Sequence, residues 1–157
     1  MVCVRVVAGD GDWPLWRDAR VAALTDAPHA FTSRLEDWGR GGEDGWRERY
    51  ATPGAHILLA SLDGRTVGMA RGVPEGGGVA VLHSVWVAPG ARGHGVGDRL
   101  VAAVEAWARR AGARALRLGV LPGNDTAIAL YRRHGFVLGT QRGDGVGREL
   151  VMEKPLE

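Results

Sequence analysis

The chain has 157 residues, of which 45% are hydrophobic, 20 are basic and 18 are acidic, with one cysteine, Cys3. That length and apolar share predict a single domain over residues 1–157, built on one covered core. Balanced charge excludes a nucleic-acid arm, the lone cysteine excludes an intrachain disulfide or a Cys-based metal cluster, and no segment approaches the ~18–20 apolar residues of a membrane span. The expectation is a soluble, unprocessed protein in a reducing, cytoplasmic setting. Lys154 is the only lysine, so the basic residues are otherwise all arginine, a bias that codon usage explains as readily as anion binding.

Val2 to Val7 alternates valine with Cys3 and Arg5 and predicts a first strand, stopped by Gly9-Asp10-Gly11-Asp12. Trp13 to Leu24 has apolar positions at 13, 16, 21 and 24 and no glycine, which predicts an amphipathic helix. Phe31 to Tyr50 divides into two helical pieces, 32–38 and 43–50, about Gly39-Arg40-Gly41-Gly42. His56 to Leu62 and Arg65 to Val73 flank Asp63-Gly64, the signature of a tight antiparallel hairpin. Val79 to Val87 is a valine-rich run that predicts a strand buried on both faces, ended by Pro89 and Gly90. Apolar positions 96, 100, 101, 104, 107 and 111 mark a helix that Gly112 closes. Ala115 to Leu121 follows as a strand, then Pro122-Gly123, and Asn124 is placed to cap a short helix reaching Arg133. Phe136 to Gln141 and Glu149 to Glu153 are the expected last strands, joined through the glycine-rich residues 143–147. No repeat or linker interrupts this order, which predicts one mixed α/β sheet.

Residues 92–97, Arg-Gly-His-Gly-Val-Gly, lie between a buried strand and an amphipathic helix. Helix amino termini present N–H groups without intrahelical partners together with partial positive charge, so an anion binds there readily, and glycine lets the backbone come close to it. A chain with 25 glycines also makes glycine-rich turns with no such role. Two other phosphate motifs fail on spelling. A Walker-type loop needs Gly-Lys-Ser/Thr, and the one lysine is Lys154; a dinucleotide fingerprint starting at Gly93 meets Asp98 where its last glycine belongs, and one starting at Gly95 meets Leu100.

The segment Val87-x-Pro89-x-x-Arg92-Gly93-x-Gly95-x-Gly97 resembles the acetyl-CoA signature of the GNAT superfamily of N-acetyltransferases, Gln/Arg-x-x-Gly-x-Gly/Ala, with Arg92, Gly95 and Gly97 at its fixed positions. Asn124-x-x-Ala127-x-x-Leu130-Tyr131-x-x-x-Gly135-Phe136 is similar to the later coenzyme-binding helix of that family, and the element order matches its fold along the whole chain. The resemblance implies an α/β (α+β) fold with a mixed, mostly antiparallel central sheet flanked by helices. It implies acetyl-CoA as acyl donor, no metal, and transfer by direct attack without an acyl-enzyme. The acceptor would be the primary amine of a small molecule; a protein amino terminus or lysine, or binding of acetyl-CoA without turnover, are the alternatives. A homodimer is compatible with it, and neither nucleic acid nor membrane enters.

Carried over residue by residue, the resemblance has the backbone of Val85, Trp86 and Val87 hold the pantetheine arm as an added strand would. The N–H groups of Arg92, Gly93, His94, Gly95, Val96 and Gly97 would hold the pyrophosphate, with no role for the His94 side chain. Asn124 would touch the coenzyme and Tyr131 would put its hydroxyl near the sulfur; seven residues apart on a helix, the two can face one cleft. Asn124 as a plain helix cap and Tyr131 as a core aromatic explain the same residues. His83 stands four before Val87, where relatives carry a base for the amine; strand parity groups it with Val81 and Val85, and a bulge would exchange its face with Ser84. A structural histidine is the alternative. Residues 26–50 correspond to the variable acceptor region, where Glu36, Asp37, Glu43 and Asp44 would attract a cation and Trp38 and Trp46 wall it; a solvated helix face with core tryptophans accounts for them equally.

Overall fold

The computed structural model describes residues 2–7, 12–26, 42–51, 53–142 and 149–156. Its elements in order are β1 (Val2–Val7), α1 (Trp13–Asp26), α2 (Gly42–Tyr50), β2 (His56–Leu62), β3 (Arg65–Gly76), β4 (Val79–Val87), a 3-10 turn (Pro89–Ala91), α3 (Val96–Arg110), β5 (Ala115–Val120), α4 (Asp125–Arg133), β6 (Val137–Arg142) and β7 (Glu149–Pro155). The expected helical piece 32–38, the turn residues 9–11 and the glycine-rich link 143–147 fall outside the described residues.

Seven strands form one sheet in the order β1-β2-β3-β4-β5-β7-β6. Asp63 and Gly64 both take positive φ, 52° and 82°, the backbone that a two-residue hairpin turn needs to match strand twist. β4 and β5 run parallel, because α3 carries the chain back across the sheet between them, whereas the other described pairs are antiparallel. Four strands differ in their bounds from the sequence expectation, β5 by ending at Val120, where its pairing with Leu150 of β7 ends. β3 continues to Gly76 and β7 to Pro155 because their partners, Val79 and Ala115, extend that far. Phe136 is left out of β6 because its N–H donates to the Tyr131 carbonyl at 3.1 Å, finishing α4, while its side chain is buried.

The sheet separates two cores. On one face α3 buries Val96, Leu100, Val101, Val104 and Ala108 against Leu58, Ala60, Ala70, Ala80 and Leu82, a single stripe of a 3.6-residue period. On the other, α1 buries Trp13, Trp16, Ala19 and Ala23 against Ile57, Leu59, Met69 and Trp86, and Trp46 of α2 closes over them. Trp46 meets Trp16 edge to face with ring centroids 5.6 Å apart, so it is a core residue.

The feature that shapes the site is a bulge in β4. Arg71 pairs with His83 and Met69 with Trp86, so two steps along β3 span three along β4, and Ser84 takes φ 60° to absorb the extra residue. Before the bulge Ala80 and Leu82 face α3; after it Val85 and Val87 do, and Trp86 joins the α1 side. His83 stays on the α1 side and is exposed, so β4 is not buried on both faces along its whole length. Pairing of β4 with β5 runs from Val79↔Ala115 to Leu82↔Leu118 and goes no further. Beyond Leu82 the two strands part, and the β5 edge of Val85–Val87 is left open.

Candidate active site

The gap between the parted strands leads into a cleft of about 540 Å³. It is lined from β4 by Val85, Trp86 and Val87, from the turn and the start of α3 by Ala91, Arg92, Gly93, Gly95, Val96, Gly97 and Asp98, and from α4 by residues including Asn124, Leu130 and Tyr131. Ten residues singled out in the sequence therefore meet in one place. His94 is exposed on the same loop but is not part of the lining, and neither is His83.

Three glycines shape this cradle. Gly93 and Gly95 take φ 88° and 76°, left-handed backbone that a side chain resists, and Gly95 is the N-cap of α3. No side chain caps that first turn among the described residues, so its N–H groups face the cleft. Gly97 has an ordinary helical backbone but sits where a Cβ would come within 3.2 Å of Leu130 and 3.7 Å of Val87. A methyl there would press on the end of the Leu130 side chain, so this glycine keeps the cleft wall between α3 and α4 open. Backbone donors at a helix amino terminus, free of any side chain, suit a pyrophosphate.

Arg92, the charged residue of the signature, is exposed and lies back along the end of β4. Its Nε donates to the Val87 carbonyl at 3.2 Å and its Nη2 to Asp26 Oδ2 at 3.0 Å, the same oxygen that accepts from Trp86 Nε1 at 3.0 Å. Asp26, at the end of α1, thus fastens the loop to the bulged strand. On the opposite wall, Asp98 accepts from Arg133 on both oxygens at 3.2 Å and lies 2.9 Å from His134 Nε2. Burial works against ionising Asp98, but the hydrogen bonds from His134 and Arg133 and their charges outweigh it and hold the carboxyl below the usual range. Arg133 is fixed in this way at the rim of the cleft. Asp26, Asp98 and Arg133 were not found from the sequence. The helical spacing of Arg133 from Thr126 and Leu130 was the available signal for one of them; nothing local ties Asp26 to Arg92.

Asn124 accepts from the Ala127 N–H at 3.3 Å, so it caps α4 as well as lining the cleft. Tyr131 is buried, packs edge-on against Phe136 at 5.9 Å, and also lines the cleft. Burial pushes its phenol above the ordinary value of 10.0, so it stays protonated and acts as a hydrogen-bond donor at any working pH. His83 keeps part of its surface exposed, yet the neighbouring protein desolvates the imidazole enough that this, and then the charges of Arg71 and Arg20, push it below 6.5 against an opposing pull from Glu75. It is neutral at pH 7 and able to accept a proton. Of the residues expected around an acceptor, Asp44 is exposed and Trp46 is in the core, whereas Glu36, Asp37 and Trp38 and the Glu43 side chain are outside what is described. Cys3 is exposed on the edge strand β1, far in the sheet order from the cleft. Among the described residues there is no group of three or more His, Cys, Asp or Glu placed to hold a metal, and no helix long and apolar enough to cross a membrane.

The model of the acetyltransferase (GNAT) family matches residues 16–136. An IAA acetyltransferase of Azospirillum brasilense is 38% identical over 111 residues, 68% of this chain and 71% of that protein. An aminoglycoside N(6')-acetyltransferase type 1 of Stenotrophomonas maltophilia is 37% identical over 91 residues, 53% of this chain and 60% of that one. Among solved structures, a ribosomal-protein-alanine N-acetyltransferase from Brucella melitensis superposes with a TM-score of 0.70 at 30% identity, over 98% of this chain and 99% of the other.

Proposed function

Since the chain belongs to the GNAT family of acetyltransferases, we propose that it transfers the acetyl group of acetyl-CoA to the primary amine of a small molecule by direct attack. The observation that carries this reading is the meeting, in one cleft, of an uncapped glycine-lined helix amino terminus and an open strand edge. The first suits a pyrophosphate and the second an amide-bearing arm that hydrogen-bonds like a strand. Val85, Trp86 and Val87 hold the pantetheine; Arg92 to Gly97 hold the phosphates through their N–H groups, and Asn124 borders the arm.

The amine must lose a proton to attack the thioester carbon, and the departing thiolate must gain one. His83, neutral at pH 7, takes the amine proton, through water if the distance requires it. Tyr131 donates a hydrogen bond to sulfur as the C–S bond breaks. Its raised pKa makes complete proton transfer to a thiolate of ordinary pKa about 8.5 strongly uphill, so the thiol's proton comes from solvent or from the amine's own pool. Stabilising charge that develops on the leaving atom is sufficient for a large rate effect.

The relatives act on different acceptors, an aminoglycoside for one and a ribosomal protein for another by their names. An acceptor screen following release of free thiol, across amino acids, polyamines, aminoglycosides and short peptides, tests the proposal. Turnover of small amines supports it. Turnover confined to peptides moves the acceptor to a protein, and silence across the panel despite tight acetyl-CoA binding leaves a binding module.

A further inference from the structure

Resting on the transfer reading above, we propose that the small-molecule acceptor carries a carboxylate beside its amine, and that Arg71 binds it on the α1 face of β4. Arg71 and His83 are directly opposed in the β3–β4 register. Arg71 shares its face with Met69, two residues away on β3, and Met69 belongs to the core on the α1 side. The pair therefore lies on the face of the sheet away from α3, at the position where the Ser84 bulge opens β4.

Among the described residues, the charge around this place is mainly positive. Arg71 is half-buried, and its Nε is fully buried without a hydrogen-bond partner. Burial lowers its pKa, and among the described residues no carboxylate acts in the other direction. Arg20, reaching in from α1 and 4% exposed, has its pKa lowered to about 10 by burial and then by the charge of Arg71, so the two guanidinium groups feel one another. His83 feels both, and Glu75 is the acidic group that opposes them there. A guanidinium nitrogen buried without a hydrogen-bond partner among the described residues, as Arg71 Nε is, is costly, and native structures tolerate one where a ligand supplies the counter-charge.

Coenzyme phosphates do not serve that purpose, because the cleft that suits them is lined by neither Arg71 nor His83. A guanidinium presents parallel N–H donors that match the two oxygens of a carboxylate. Directly opposed residues of an antiparallel pair have Cβ atoms about 4.5–5.5 Å apart. Side chains that start side by side on one face can be bridged by a short molecule that offers its carboxylate to Arg71 and its amine to His83, as an amino acid does. The exposure of His83 leaves this position open to such a molecule.

The test compares acceptors alike except for the charge: amino acids, their α-amides and their decarboxylated amines. The expected result is that the carboxylate-bearing member of the productive pair has the higher kcat/KM. Arg71→Gln lowers that value by roughly 10- to 100-fold, mainly through KM, the range for loss of one charged hydrogen-bond partner. The amide changes by no more than about two- to threefold, and coenzyme A affinity by calorimetry is unchanged. A second readout does not need turnover. N-acetylglycine and N-acetylglycinamide, titrated onto the coenzyme A complex, are followed by the imidazole signal of His83. Saturable binding of the acid, absent for the amide and lost in Arg71→Gln, supports the proposal even if no amine is acetylated, in which case the transfer reading fails alone. Preference for the amide or the decarboxylated amine, a preference untouched by Arg71→Gln, or equal displacement by inorganic phosphate overturns the carboxylate assignment. So does failure of N-acetylglycine to bind.

Discussion

Tyr131→Phe removes one oxygen from a residue that lines the cleft and leaves the ring. That ring is 7% exposed and stands at 62° to Phe136, and neither contact involves the hydroxyl. Burial is the influence acting on the phenol, with no hydrogen bond contributing, so the substitution breaks no internal bond and changes stability by about 1 kcal/mol or less. A pH dependence follows from the raised pKa. In the unfolded chain the phenol ionises near 10.0, whereas in the folded chain it stays protonated, so above that pH the unfolded state binds fewer protons and the fold loses stability. The phenylalanine variant lacks this loss, and its advantage over wild type in denaturant unfolding grows as pH rises past 10. The catalytic effect is separate. A donor aimed at developing charge contributes on the order of 10²–10³ in rate. Single-turnover transfer should fall by that factor, while acetyl-CoA affinity moves only a few-fold, because the lost interaction belongs to the transition state. Wild-type single-turnover rates in the variant would refute a role for the hydroxyl at sulfur, and an unchanged alkaline stability difference would refute the burial argument.

Gly95→Val should abolish measurable coenzyme A binding in a folded protein, since φ 76° at the N-cap is strained for a β-branched residue; undiminished affinity in calorimetry would overturn the loop assignment. Gly97→Ala should leave thermal stability within about 1 kcal/mol, the helix-propensity gain offsetting a 3.2 Å contact with the flexible end of Leu130, yet weaken coenzyme binding because the new methyl enters the cleft wall between Leu130 and Val87. His83→Ala should depress kcat with little change in coenzyme affinity and remove an acidic limb of the pH–rate profile lying below pH 6.5, the side to which burial and Arg71 push the imidazole; a limb that persists would make His83 structural.

Local physics made much of this protein legible in the sequence. Asp63-Gly64 specifies a two-residue turn by backbone sterics alone, the 3.6-residue stripe from Val96 to Ala108 specifies a helix with one apolar face, and Gly93 and Gly95 mark where that helix must begin in left-handed backbone. The family signature rests on the same residues, and a glycine needed for close approach is visible as a letter. What local signals do not contain is register. That β7 sits between β5 and β6, that β4 leaves β5 after Leu82, and that His83 is opposed to Arg71 on the α1 face are results of pairing between segments distant in the chain. One extra residue at Ser84 reverses every side chain after it, so parity counted along β4 groups Val85 with His83 when the fold separates them. The same holds for electrostatics: the phenol of Tyr131 and the imidazole of His83 have ordinary pKa values as sequence. Burial in this tertiary structure, and the guanidinium groups it gathers, move them apart.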